Sequence, residues 1–184
     1  DPAATTFRWD IYAFGAEADA AASVNLSGLT DSNDFSSPDG LWFDPRGILW
    51  IQTDDGAYLD ETNCMMLAAI PGKVGEGGPV TVNNTNVSAV VTVAGKAPTA
   101  DNLKRFLVGP KGAEITGIDM TPDRKALFVN IQHPGESGGF SNYSQTSLFT
   151  EQSSFNALEL TAGSRRARSV TLVITKDDGG EIAV

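Results

Sequence analysis

Short apolar runs separated by clusters of Pro, Gly, Asp and Asn extend along the whole chain, the pattern of an all-β protein. Strands are predicted at Phe7–Phe14, Gly40–Phe43, Ile48–Thr53, Met65–Ile70, Val80–Val82, Ala89–Ala94, Leu103–Val108, Ile115–Met120, Ala126–Gln132 and Ser169–Lys176. In "DPRG" and "TPDRK" a proline takes the first corner of a turn, where its fixed φ costs nothing. "TDDG" and "KDDGG" end strands with Asp and Gly, which tolerate left-handed backbone. Three stretches break the pattern. Residues 15–36 read as a surface excursion, 71–88 as a long hairpin or an insertion, and 135–168 as a Gly- and Ser-rich loop.

One pattern occurs twice. "SPDGLWFDPRGILWIQTDDG", residues 37–56, is echoed by "EITGIDMTPDRKALFVNIQHPG", residues 114–135. Gly40 corresponds to Gly117 and Pro45 to Pro122, and the second copy gains a residue before Leu127-Phe128-Val129 matches Leu49-Trp50-Ile51. Repetition on this scale is the mark of solenoids and propellers, although the period exceeds the roughly 40–45 residues of compact blades. The expected architecture is one β-propeller domain over residues 1–184, with blades around 7–70 and 89–176 and variable loops at 15–36, 71–88 and 135–168. A closed propeller needs about four blades or more, and an open fan exposes strand edges. The chain is therefore expected to hold an incomplete set of blades from a larger propeller.

Composition narrows the function. The 184 residues, 41% hydrophobic and 20% charged, are ordinary for a globular chain. A net charge of −10 argues against a nucleic-acid partner, and no apolar run nears the ~18–20 residues of a membrane span. The single cysteine, Cys64, excludes an internal disulfide and a Cys-rich zinc site, and it reads as core packing. GxxxxGK, GxSxG, HExxH and EF-hand patterns are absent.

Asp39 and Glu114 each stand at the entrance of a repeat's inner strand. Carboxylates converging on one axis repel unless a proton or cation intervenes, and oxygen ligands of this type suit Ca²⁺ or another hard cation. Asp39 is equally the turn residue of "SPDG". "NIQHPGE" gathers Asn130, Gln132, the sole histidine His133, and Glu136 behind an apolar strand, either as acid–base chemistry or as a polar closing loop. Lys104, Arg105 and Lys111 lie near Glu114, and Lys111 is placed to meet an anionic ligand or to decorate the surface. Arg165, Arg166 and Arg168 of "SRRARS" offer guanidinium forks for phosphate or flank the last strand as gatekeepers.

Four stretches carry a family resemblance: "WDIYAFG", "FSSPDGLWFDPRGILWIQTD", "RFLVGPKGAEITGIDMTPDRKALFVNIQHPGE" and "RSVTLVITKDDGG". In them the chain resembles the C-terminal part of the PhoX alkaline phosphatases. The resemblance implies a β-propeller phosphatase, exported by bacteria to the periplasm or medium, that hydrolyses phosphate monoesters by metal-assisted phosphoryl transfer. It implies Ca²⁺ and Fe³⁺ held by acidic side chains at one end of the central channel, with Asp39 and Glu114 as the matching metal ligands. The family's iron-binding cysteine lies in a motif that Cys64 does not occupy. The chain is thus expected to need the remaining blades of a parent protein or a partner segment. A non-catalytic calcium-binding propeller module, a degenerate phosphatase relative and a lactonase-like calcium propeller are the alternatives.

Overall fold

The computed structural model describes residues 3–54, 63–84, 87–110, 112–134 and 169–183. Its described residues are all-β, with nine strands, no helix and three separate sheets. The chain divides into two compact units, residues 1–35 with 69–104 and residues 36–68 with 105–184.

The second unit contains both copies of the repeat. Strands β1 (Pro38–Phe43) and β2 (Leu49–Thr53) form an antiparallel hairpin, and β2 lies between β1 and β3 (Met65–Ala69), with β6 (Leu103–Val108) next. Covered by neighbours, β2 is buried at every position, including Gln52 and Thr53. Strands β7 (Glu114–Met120), β8 (Ala126–Gln132) and β9 (Val170–Thr175) make a three-stranded antiparallel sheet. Leu127, Val129 and Ile131 alternate inward along β8, as period-two patterning requires. They pack with Trp50, Cys64, Met66, Ala113, Ile115 and Ile182 in one core, where the Phe106 ring meets Trp50 edge-on at 4.9 Å.

The repeat is visible in the geometry. Both incoming strands shift register near their start, β1 between Pro38 and Gly40 and β7 between Thr116 and Ile118, where Gly117 has φ +55°. The extra residue of the second copy is absorbed in the turn. Asp44 N–H donates to Ile48 O across three residues, and Thr121 N–H to Ala126 O across four, with Arg124 left-handed at φ +60°. A buried amide joins the copies: Gln52 lies over Gly40, and its Nε2 donates to Gly117 O at 3.1 Å.

At the turns the two hairpins share an anchor. Arg46 donates to Asp44 and to Ile182 O, while Arg124 holds both Glu181 oxygens at 2.8 and 2.6 Å. Ile182 N–H returns a bond to Arg124 O. Burial alone would raise the Asp44 pKa, but the Arg46 guanidinium and the N–H groups of Ile48 and Arg46 outweigh it and hold the carboxyl below its usual range.

In the first unit, β4 (Gly78–Asn84) and β5 (Val87–Ala94) form the long hairpin allowed for residues 71–88. The strand predicted at Phe7–Phe14 does not form. The segment meets β5 at a single point, a parallel bridge from Ile11 to Ala94, and among the described residues Phe7 and Trp9 stay exposed with no partner strand to cover them. Residues 15–36 are not a surface excursion either, because Ala16, Leu29, Phe35 and Asn33 are buried. Local turn bonds, such as Asn25 N–H to Ala21 O and Asp34 N–H to Thr30 O, and side-chain caps take the place of a ladder. Asn25 brackets Leu29 from both sides, and Asn33 Nδ2 donates to Leu103 O.

Candidate metal centre

Among the described residues, the ends of the repeat strands bring together one group of potential ligands, all within the second unit. Glu114 opens β7 and is 6% exposed. Its register partner is Gln132, the last residue of β8, and the chain turns immediately afterwards at His133. His133 adopts φ +35°, which is uncommon for a non-glycine residue, and its N–H donates to Ser169 Oγ at 3.1 Å. That turn directs its Nε2 to Glu114 Oε2 at 3.4 Å. Asp54 follows β2 and is held by its own N–H, which donates to Ser37 O. Asp54, Glu114 and His133 each offer one ligand atom, and these atoms lie within 4.8 Å of one another.

Two carboxylates at that separation favour a positive charge between them. Asp54 Oδ1 is buried and makes no hydrogen bond, a costly state for a carboxylate oxygen. A cation would satisfy this orphaned oxygen. The donor set fits one: carboxylates serve hard cations, and an imidazole nitrogen suits iron, manganese or zinc better than calcium.

The sequence-derived candidates fall in different places. Glu114 is in the group. Asp39 is exposed at the register shift of β1, beside the β2 end that leads to Asp54, and is not in the group. Asn130 and Gln132 flank the site on β8, and Cys64 is core. Lys104 is exposed, and Arg105 points Nε at Met65 Sδ. Lys111, Glu136, Arg165, Arg166 and Arg168 lie outside the described residues. Asp54 was missed because "QTDDG" reads as turn chemistry. The repeat drew attention to strand entrances, whereas Asp54 and His133 stand at strand exits. The usable signal was that antiparallel pairing puts the exit of one strand beside the entrance of its partner.

The family model described as "Alkaline phosphatase PhoX" matches residues 1–135, a span that includes Asp39, Asp54, Glu114 and His133. Among solved structures, Pseudomonas fluorescens PhoX in complex with vanadate, a transition state analogue, is 37% identical. The match covers 82% of this chain and 19% of that chain, with a TM-score of 0.49. The chain thus spans about a fifth of that relative's length. No curated protein matches the chain. With nearly three-quarters of its residues inside the family match, the chain belongs to the PhoX alkaline phosphatase family.

Proposed function

We propose that this chain contributes part of the metal centre of a phosphatase that hydrolyses phosphate monoesters. The observation that carries the reading is the convergence of Asp54, Glu114 and His133 around a buried carboxylate oxygen with no hydrogen-bond partner. Family membership supports the reaction class.

On this reading Asp54, Glu114 and His133 hold a transition-metal cation, iron by the family resemblance, and calcium binds nearby where oxygen ligands alone are available. Asp39, exposed at the strand entrance beside Asp54, is the proposed ligand for that second ion. Bound cations would neutralise charge on the phosphoryl oxygens and orient an attacking oxygen. The chain's own groups do the rest. Glu114 is fixed as the first rung of a β-ladder, and the Ser169 contact holds the His133 backbone so that Nε2 faces Glu114. Lys111, between Pro110 and Gly112, is the proposed contact for the substrate phosphate. The two repeat hairpins are proposed as neighbouring blades of a propeller completed by the parent protein, exported to the periplasm or medium. No helix among the described residues is long and apolar enough to cross a membrane.

The test is hydrolysis of a chromogenic phosphate monoester by the full-length protein, with and without chelator, beside metal analysis of the same sample. Activity should disappear with chelator and return with iron and calcium, and Glu114→Gln should lower turnover by orders of magnitude while the thermal midpoint holds. Chelator-resistant activity sinks the reading. Calcium without iron in an inactive protein supports a binding module in its place.

A further inference from the structure

Beside the metal centre, the β7–β9 sheet carries a polar cleft that nothing in the metal chemistry requires. Thr116 stands opposite Asn130 and Asn130 opposite Thr171, while Glu114 stands opposite Gln132. Opposed residues share a face of an antiparallel sheet, as do residues two apart on one strand. Glu114, Thr116, Asn130, Gln132 and Thr171 therefore project from the same side. With Ser169, the neutral members of this set line an open cleft of about 360 Å³, at the small end of the range for small-molecule sites.

Three features suit this cleft to hydroxyl groups. Among the described residues, every polar side chain lining it is an uncharged amide or alcohol, although the chain carries a net charge of −10. Such groups both donate and accept, which matches an alcohol and gives an ionised partner no counter-charge. The central amide is also preset. The Thr171 hydroxyl donates to Asn130 Oδ1 at 2.8 Å, and Asn130 Nδ2 rests over Gly117, where an added Cβ would lie 2.5 Å away. Asn is disfavoured in strands, so this position departs from what the sheet alone prefers. Finally, the cleft joins the metal centre directly. Ser169 Oγ accepts the His133 N–H, and Gln132 precedes His133.

We propose that the cleft receives the polyhydroxylated alcohol, a sugar or polyol, of a phosphate monoester whose phosphate lies at Asp54, Glu114 and His133. This inference rests on the phosphatase reading above. In the reaction, water forms a new bond to phosphorus, the ester P–O bond breaks, and the alcohol leaves with a proton derived from water. Nothing is oxidised or reduced.

The experiment compares glucose 6-phosphate with ethyl phosphate as substrates of the full-length protein, before and after combining Asn130→Leu with Thr171→Val. The readout is the ratio of kcat/KM for the two esters. Losing two hydrogen bonds of ordinary strength should lower that ratio about thirtyfold. Should the double variant fail to fold, the exposed Gln132→Leu alone is expected to lower it several-fold. An unchanged ratio in the folded variant overturns the cleft assignment and leaves the phosphatase reading standing. If the parent protein hydrolyses neither ester, the phosphatase reading itself has failed and the cleft assignment falls with it.

Discussion

Replacing Gly40 with alanine adds one methyl group, and the structure says where it goes. The new Cβ would lie 2.7 Å from Gln52 Oε1, closer than real Cβ contacts come. Gln52 is only 2% exposed and its Nε2 is bonded to Gly117 O, so the amide cannot swing into solvent. Displacing it breaks that bond and strands a carbonyl, at about 1–3 kcal/mol. Overpacking adds about 1–3 kcal/mol if the amide stays, so the two costs are alternatives and not a sum. The lost freedom of the unfolded chain returns about 0.4–1 kcal/mol. The net is about 1.3 kcal/mol, or a thermal midpoint lower by about 3–5 °C at this chain length. Calorimetry on Gly40→Ala, Gln52→Ala and the double variant tests the mechanism as well as the magnitude. The double variant should be clearly less damaged than the two single effects added, because removing Gln52 clears the space the methyl needs. Additivity within about 0.5 kcal/mol would refute the assigned contact.

Asp44→Ala removes the acceptor for two backbone N–H groups and for Arg46, and should cost about 3 kcal/mol, read as a fall of about 6–12 °C in thermal midpoint. Because the folded state holds the Asp44 carboxyl below its ordinary value of 3.8, its contribution is complete above that value and is lost as pH falls through the folded value. Acid titration of stability should therefore be shallower in Asp44→Ala than in the parent. Glu181→Gln should lower the thermal midpoint at low salt and lose most of that effect at high salt, since the Arg124 bonds that depress the Glu181 pKa are solvent-accessible. Burial raises Tyr12 to about 12, so phenolate absorbance should show a late-titrating component that Tyr12→Phe removes. The sign is opposite to that of Asp44: between pH 10 and 12 only the unfolded chain loses this proton, and stability falls with rising pH.

Strands were readable wherever alternation and turn chemistry agreed. Leu103–Val108 and Ala126–Gln132 were predicted with the bounds that the structure has. Residues 7–14 have strand-like composition but find a ladder partner only at Ile11, a non-local fact that no local pattern carries. Residues 15–36 failed for the reverse reason. Asn25 and Asn33 let the segment bury Leu29 and Phe35 without a ladder, and polar composition concealed that interior. At the candidate metal centre, Glu114 was legible as a carboxylate interrupting an apolar strand, and His133 as the sole imidazole. Asp54 was not, because what marks it is a buried oxygen beside a strand remote in sequence.

The short stretch after β9 contains no strand, yet Ile182 is 2% exposed and Glu181 touches arginines from both repeat turns. A domain boundary drawn by secondary structure would stop near residue 176 and discard it. Such a piece would lose a core side chain and the strap across both turns, and would leave Arg46 and Asp44 to balance each other alone. The smallest excerpt that keeps the paired hairpins in register therefore runs at least to residue 182.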